Sequence, residues 1–140
     1  MTFQKSFIVK KLEELFGYLK EIDDFFALPD EEIIKDSGKL HIAERLLQLA
    51  VDTMIDVNQH FIRELNLEIS EDFQGTFITL GENKILPLDF AKKIAPVVGL
   101  RNRVVHRYET LDKQHFIATF RKNRDDIKEY VKFVNKRLAE

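Results

Sequence analysis

The chain has no cysteine among its 140 residues, which excludes disulfide frameworks, thiolate zinc sites and thiol nucleophiles and makes the cytosol the expected compartment. Long hydrophobic runs are also missing. Stretches such as Phe25 to Leu28 stop at about four residues where a membrane helix needs about 20, so no membrane association is expected. Lys5, Lys10 and Lys11 interrupt the N-terminal apolar residues, leaving no h-region for a signal peptide. Charge of one sign is lacking too: 22 Lys and Arg against 24 Asp and Glu give a formal net charge of −2. That balance argues against a protein that coats nucleic acid generally, while leaving room for a local basic site. What is present is core material, with 44% hydrophobic residues and 12 Phe. A chain of this size can bury roughly two-thirds of its unfolded surface, and residues 1–140 read as a single domain.

Periodicity points to helices throughout. Ile8, Leu12, Leu15, Leu19, Ile22 and Phe26 recur at intervals of three and four, placing one apolar face on a first helix that ends before Pro29. Residues 30–65 continue with Ile33, Ile34, Leu40, Ala43, Leu47, Ala50, Met54, Val57 and Phe61, and the Asp36-Ser37-Gly38 triplet is a candidate break. Ser70 is the expected cap of a short helix carrying Phe73, Phe77 and Leu80, closed by a turn at Gly81-Glu82-Asn83. Pro87 opens the next helix, Pro96 interrupts it, and Asp112 is the expected cap of a last helix with Phe116, Phe120, Ile127, Val131, Val134 and Leu138 inward. Strand signals are absent. The expected fold is all-α: an antiparallel bundle of about four main helices plus short ones.

The charges are unevenly spread. Between Phe90 and Tyr108 the charged residues are Lys92, Lys93, Arg101, Arg103 and Arg107, a local sum of +5 with no carboxylate. Such a stretch draws a phosphate-bearing partner. His106 lies in it. Arg donates a planar pair of hydrogen bonds to phosphate oxygens and stabilises charge developing in a transition state, and His moves protons near neutral pH. At about 100° per residue, Asn102 and His106 share one helix face, whereas Arg101 and His106 stand about 140° apart. One helix therefore does not aim both at one atom, and a second copy of the segment across a two-fold axis would close the gap.

Arg101-Asn102-Arg103-Val104-Val105-His106-Arg107-Tyr108 is similar to the R-x4-H-x-Y signature of the HepT group of HEPN proteins. Flanking segments resemble that family as well: Glu44-Arg45-Leu46-Leu47-Gln48, Asp56-Val57-Asn58-Gln59-His60, Phe77 with Leu80, and the run from Leu111 to Phe116, so that the likeness spans roughly residues 5 to 135. The resemblance implies a HEPN-type helical bundle, dimeric with itself, acting as the metal-independent endoribonuclease toxin of a type VII toxin–antitoxin pair. Carried over residue by residue, Arg101 would stabilise the transition state, His106 would serve as general acid or base for attack by the RNA 2′-hydroxyl, and Asn102 would orient His106 or the phosphate. Arg103, Arg107, Lys92 and Lys93 would attract RNA, with tRNA the family-level expectation. Tyr108 would be the AMPylation site of a minimal nucleotidyltransferase antitoxin of the MntA kind, the added phosphate and adenosine blocking the RNA site. No cofactor is implied.

Plainer readings stand beside these. A basic helix surface with a locally hydrogen-bonded His would explain Arg101 and His106 without catalysis, and a non-catalytic helical subunit that binds a nucleotidyltransferase or nucleotide and presents its substrate would use the same surface. Tyr108 could be an ordinary amphipathic ring at a helix end. His41, His60 and His115 lack metal-ligand spacing, apart from His60 with Asp56, and are read as structural. The Phe stripes read as core.

Overall fold

The computed structural model describes residues 4–106 and 112–140. Among them the chain forms seven helices and no strand: α1 (Lys5–Phe25), α2 (Asp30–Ile34), α3 (Ser37–Glu64), α4 (Phe73–Glu82), α5 (Leu88–Ile94), α6 (Val97–His106) and α7 (Lys113–Ala139). The all-α class holds, built as three long helices and four short ones. No described helix is long and apolar enough to cross a membrane.

Side-chain pairs give the helix directions. At one end of α1 the Phe7 ring stacks on His60 at a centroid distance of 4.5 Å, and one turn on Lys11 reaches Asp56 at 3.2 Å, so α1 and α3 run antiparallel. His60 therefore packs as part of the bundle, and Asp56 is engaged by Lys11. Burial works against the Lys11 ammonium, yet its bonds and attractions to Asp56 and Glu14 outweigh that and raise its pKa. Lys5 Nζ donates to the Leu138 carbonyl at 2.7 Å, while Asp23 at the other end of α1 takes Lys128 at 2.9 Å. α7 is therefore antiparallel to α1 as well.

Most element boundaries follow from local chemistry. Asp36 is extended, and its carboxylate accepts from the Gly38 and Lys39 amides at 2.9 and 3.2 Å, which starts α3 and separates it from α2. Asp112 does the same for α7 through the His115 amide at 3.0 Å. The cap of α4 differs from the expected one: Asp72, not Ser70, accepts from the Gly75 amide at 2.7 Å. Ser70 instead donates to the Asp72 carbonyl at 2.7 Å, a local turn that presents Asp72 in the extended conformation a cap requires. The turn after α4 also falls later than expected, because Gly81 is helical. A Cβ at Gly81 would lie 2.6 Å from the Ala91 Cβ, so glycine here lets α4 and α5 approach closely.

The core takes the five α1 residues Ile8, Leu12, Leu15, Leu19 and Ile22 together with Phe26, and the expected stripes of α3 and α7. Val131 and Leu138 are only partly buried. Tyr130 is fully buried, a position that apolar periodicity passed over. Its hydroxyl donates to Asn58 Oδ1 at 2.6 Å, and Asn58 Nδ2 donates to Thr76 Oγ1 at 3.1 Å, so a buried chain of polar groups joins α7, α3 and α4. Arg121 makes the second cross-link: Nε reaches Asp30 at 2.6 Å, Nη1 and Nη2 donate to the Phe26 and Leu28 carbonyls at 3.1 and 2.9 Å, and the guanidinium lies 4.5 Å from the Phe26 ring centroid. It satisfies the carbonyl of Phe26, the C-cap of α1, and that of Leu28 in the turn leading to α2.

Tyr130→Phe leaves Asn58 Oδ1 without its donor, and we expect a loss of about 1–3 kcal/mol, read as a lower urea midpoint at unchanged m. Burial raises the Tyr130 pKa well above 10.0, so the folded state holds its proton while the unfolded chain releases it. The stability linked to that proton is complete below pH 10 and falls as pH rises beyond it, by up to about 1.4 kcal/mol per pH unit. Denaturation measured from pH 9 to 11 should show a shallower decline for Tyr130→Phe than for the parent.

Candidate active site on α6 and α3

Pro96 lies between α5 and α6, and α6 resumes at Val97 with its inward face made by Val97, Val98, Leu100 and Val104. That face fixes where the polar residues go. Arg101 lies at its border, about 60° round the helix from Val104, and is half-buried against α3. His106 closes the helix, exposed, on the side it shares with Asn102. The helix runs unbroken from Arg101 to His106, so the angle of about 140° between them is retained in the fold.

Arg101 is held on two sides. Its Nε donates to Asp52 Oδ1 on α3 at 2.8 Å, and its Nη1 donates to Asn102 Oδ1 at 3.1 Å. Both are charge-assisted, and the Asn102 oxygen must face the guanidinium because Arg has donors only. The remaining Nη hydrogens are the ones a phosphate could take. Asn102 thus supports Arg101 directly.

Asp52 is the residue the sequence reading missed. It lies 49 positions from Arg101, and its only local signal is membership of the outward stripe of α3 with Arg45, Leu49, Asp56 and Gln59, which looks like an ordinary solvated face.

The basic stretch is divided by the fold. α5 packs on α4 and α7, whereas α6 packs on α3 and α4. Lys93 on α5 accordingly meets α7, with Nζ 3.3 Å from Asp126 and 3.7 Å from Glu129, and these two carboxylates raise its pKa. Asp52, Asp126 and Glu129 thus offset charge that is uncompensated along the chain. Lys92 and Arg103 are exposed. Arg107 and Tyr108 lie outside the described residues. Among the described residues no three or more His, Asp or Glu side chains are grouped to hold a metal ion.

Comparison with known proteins agrees with this architecture. A family model described as Ribonuclease HepT-like matches residues 15–134. The chain is 38% identical over 120 residues to a protein named tRNA nuclease HepT from Aphanizomenon flos-aquae, covering 84% of this chain and 82% of that one. It is 22% identical over 123 residues to a protein named mRNA nuclease HepT from Shewanella oneidensis, covering 88% and 84% of the two chains. Its fold superposes on a tri-AMPylated Shewanella oneidensis HEPN toxin solved in complex with an MNT antitoxin, with a TM-score of 0.87, 20% identity, and 95% and 99% of the two chains covered.

Because Asp126 and Glu129 face Lys93, its removal should change polyanion binding less than removal of exposed Arg103. On immobilised heparin, Arg103→Ala should elute at clearly lower salt than the parent, and Lys93→Ala close to it.

Proposed function

The chain belongs to the HepT-like ribonuclease family, and from that premise we propose that it is a cytoplasmic endoribonuclease toxin, active as a homodimer, that cleaves RNA with Arg101 and His106. The observation that carries this reading is the double anchoring of Arg101 by Asp52 and Asn102 on the helix that ends in His106. An arginine held in place with Nη hydrogens to spare is suited to a phosphate whose charge grows during reaction.

In the proposed reaction the RNA 2′-hydroxyl loses its proton to the His106 imidazole and its oxygen attacks the adjacent phosphorus. The bond to the 5′-oxygen breaks, that oxygen takes a proton from water, and the products are a 2′,3′-cyclic phosphate and a 5′-hydroxyl, with the imidazolium returning its proton to solvent. Arg101 stabilises the added negative charge on the phosphoryl oxygens, and Asn102 supports Arg101. The two-fold arrangement of a homodimer brings a second α6 to the cleft, which answers the angle of about 140° between Arg101 and His106. Arg103, Arg107 and Lys92 attract the RNA backbone, with Lys93 contributing less because α7 already engages it. The relative at 38% identity is named a tRNA nuclease, and tRNA is the substrate class we put first.

For control, we propose a cognate MntA-like nucleotidyltransferase as the antitoxin. The Tyr108 oxygen attacks the α-phosphorus of ATP, pyrophosphate leaves, and the resulting AMP-tyrosine places negative charge and bulk two residues from His106. The support is Tyr108's place in the signature and the likeness in fold to a toxin solved in a tri-AMPylated form.

Purified protein incubated with total tRNA in EDTA should cleave it, and Arg101→Ala and His106→Ala should each lower cleavage by at least about 100-fold. Mutants as active as the parent would remove the catalytic assignment in favour of a non-catalytic subunit. After incubation with the nucleotidyltransferase and ATP, mass spectrometry should find AMP on Tyr108, and Tyr108→Phe should remain active in its presence. AMP found elsewhere, or nowhere, would refute this control.

A further inference from the structure

The pairing of Asp52 with Arg101 does more than join two helices. We propose that Asp52 is a positioning residue for RNA cleavage, setting the orientation in which the Arg101 guanidinium meets the scissile phosphate; this rests on the catalytic reading of Arg101 given above. Asp52 accepts from Nε, the donor nearest the stem, at 2.8 Å. A guanidinium can meet phosphate side-on through Nε and one Nη, or end-on through both Nη groups. Asp52 occupies the first mode. Asn102 takes one hydrogen of Nη1, and the phosphate is left an end-on approach to a plane already fixed at two points.

Stability alone is a poor reason for this pair. The Asp52 side chain is 39% exposed and that of Arg101 17%, and partly exposed ion pairs contribute little to folding. Removing Asp52 opens no cavity, but it frees a side chain with several rotatable bonds in a site where a displacement of about 1 Å can cost about 100-fold in rate. It also removes a negative charge beside the phosphate. Ground-state binding of RNA should therefore strengthen while the chemical step slows, a combination that general destabilisation does not produce.

The test uses the full chain and a defined tRNA in EDTA, with kcat and KM measured separately. Asp52→Ala should lower kcat by about 10- to 100-fold with KM unchanged or lower. Asp52→Asn, whose carbonyl still accepts from Nε, should recover kcat to within about 5-fold of the parent. Adding Asp52→Ala to Arg101→Ala should produce no further loss, since the effect passes through Arg101. The proposal is overturned if Asp52→Ala keeps the parent kcat, if Asp52→Asn is as slow as Asp52→Ala, or if the double variant falls well below Arg101→Ala. Parent protein no more active than His106→Ala would overturn the catalytic reading itself, and Asp52 with it, whereas an active parent with an indifferent Asp52 sinks only the positioning role.

Discussion

Asn58 lies in the C-terminal third of the longest described helix, α3, with no exposure to solvent, and it is tied on both sides: its carbonyl oxygen takes the Tyr130 hydroxyl and its amide donates to Thr76. An apolar stripe tolerates some rotation of a helix because one methyl can replace another. A buried amide cannot turn away from its partners without leaving polar groups unsatisfied. The Asn58 contacts therefore set how α3 is rotated in the bundle. Asp52, six residues earlier, lies about 240° round the same helix and comes to rest on the side where α6 passes. A rotation by one residue, about 100°, would carry it away from Arg101. The polar centre of the bundle and the geometry of the candidate site are in this sense one arrangement.

The site uses elements of different rigidity. α3 and α7 span many turns and are fixed by Asn58, Tyr130 and Arg121. α6 is short and follows Pro96, and it gains its orientation from Val97, Leu100 and Val104 packing into the bundle. Arg101 is then secured to the long helix by Asp52, while His106 is carried outward at the end of α6. The arginine of the proposed chemistry is thus joined to α3, and the histidine lies exposed at the last residue of α6.

The helices were legible in the sequence because their signals are local. The spacing from Ile8 to Phe26, the cap at Asp112 and the breaks at Pro29 and Pro96 each act over one or two turns, and each is found where expected, whereas the break expected across Asp36-Ser37-Gly38 narrows to Asp36, with Ser37 and Gly38 already inside α3. The structure departs from the local signals where two neighbouring cap acceptors competed, as with Ser70 and Asp72, or where a residue was chosen for something far away, as with Gly81 against Ala91. In the candidate site Arg101, Asn102 and His106 could be read from one short motif. Asp52 could not, because its meaning depends on a residue 49 positions later. The charge sum was misleading for the same reason: Lys93 has no carboxylate near it in sequence after Asp89, yet α7 brings it two.

Arg121 also bears on the order in which the molecule can be made. The carbonyls of Phe26 and Leu28 receive their donors from a residue 95 and 93 positions further on, and Asn58 waits 72 positions for the Tyr130 hydroxyl. On the ribosome, α3, α4 and α6 emerge before α7 supplies either, so Arg101 and Asp52 both leave the tunnel while the groups that hold α3 in rotation are still unmade. Such long closures form late. A chain stopped short of α7 carries every residue of the motif from Arg101 to Tyr108 and the Asp52 that holds Arg101, but lacks the Tyr130 and Arg121 contacts that join α3 and the end of α1 to the rest of the bundle.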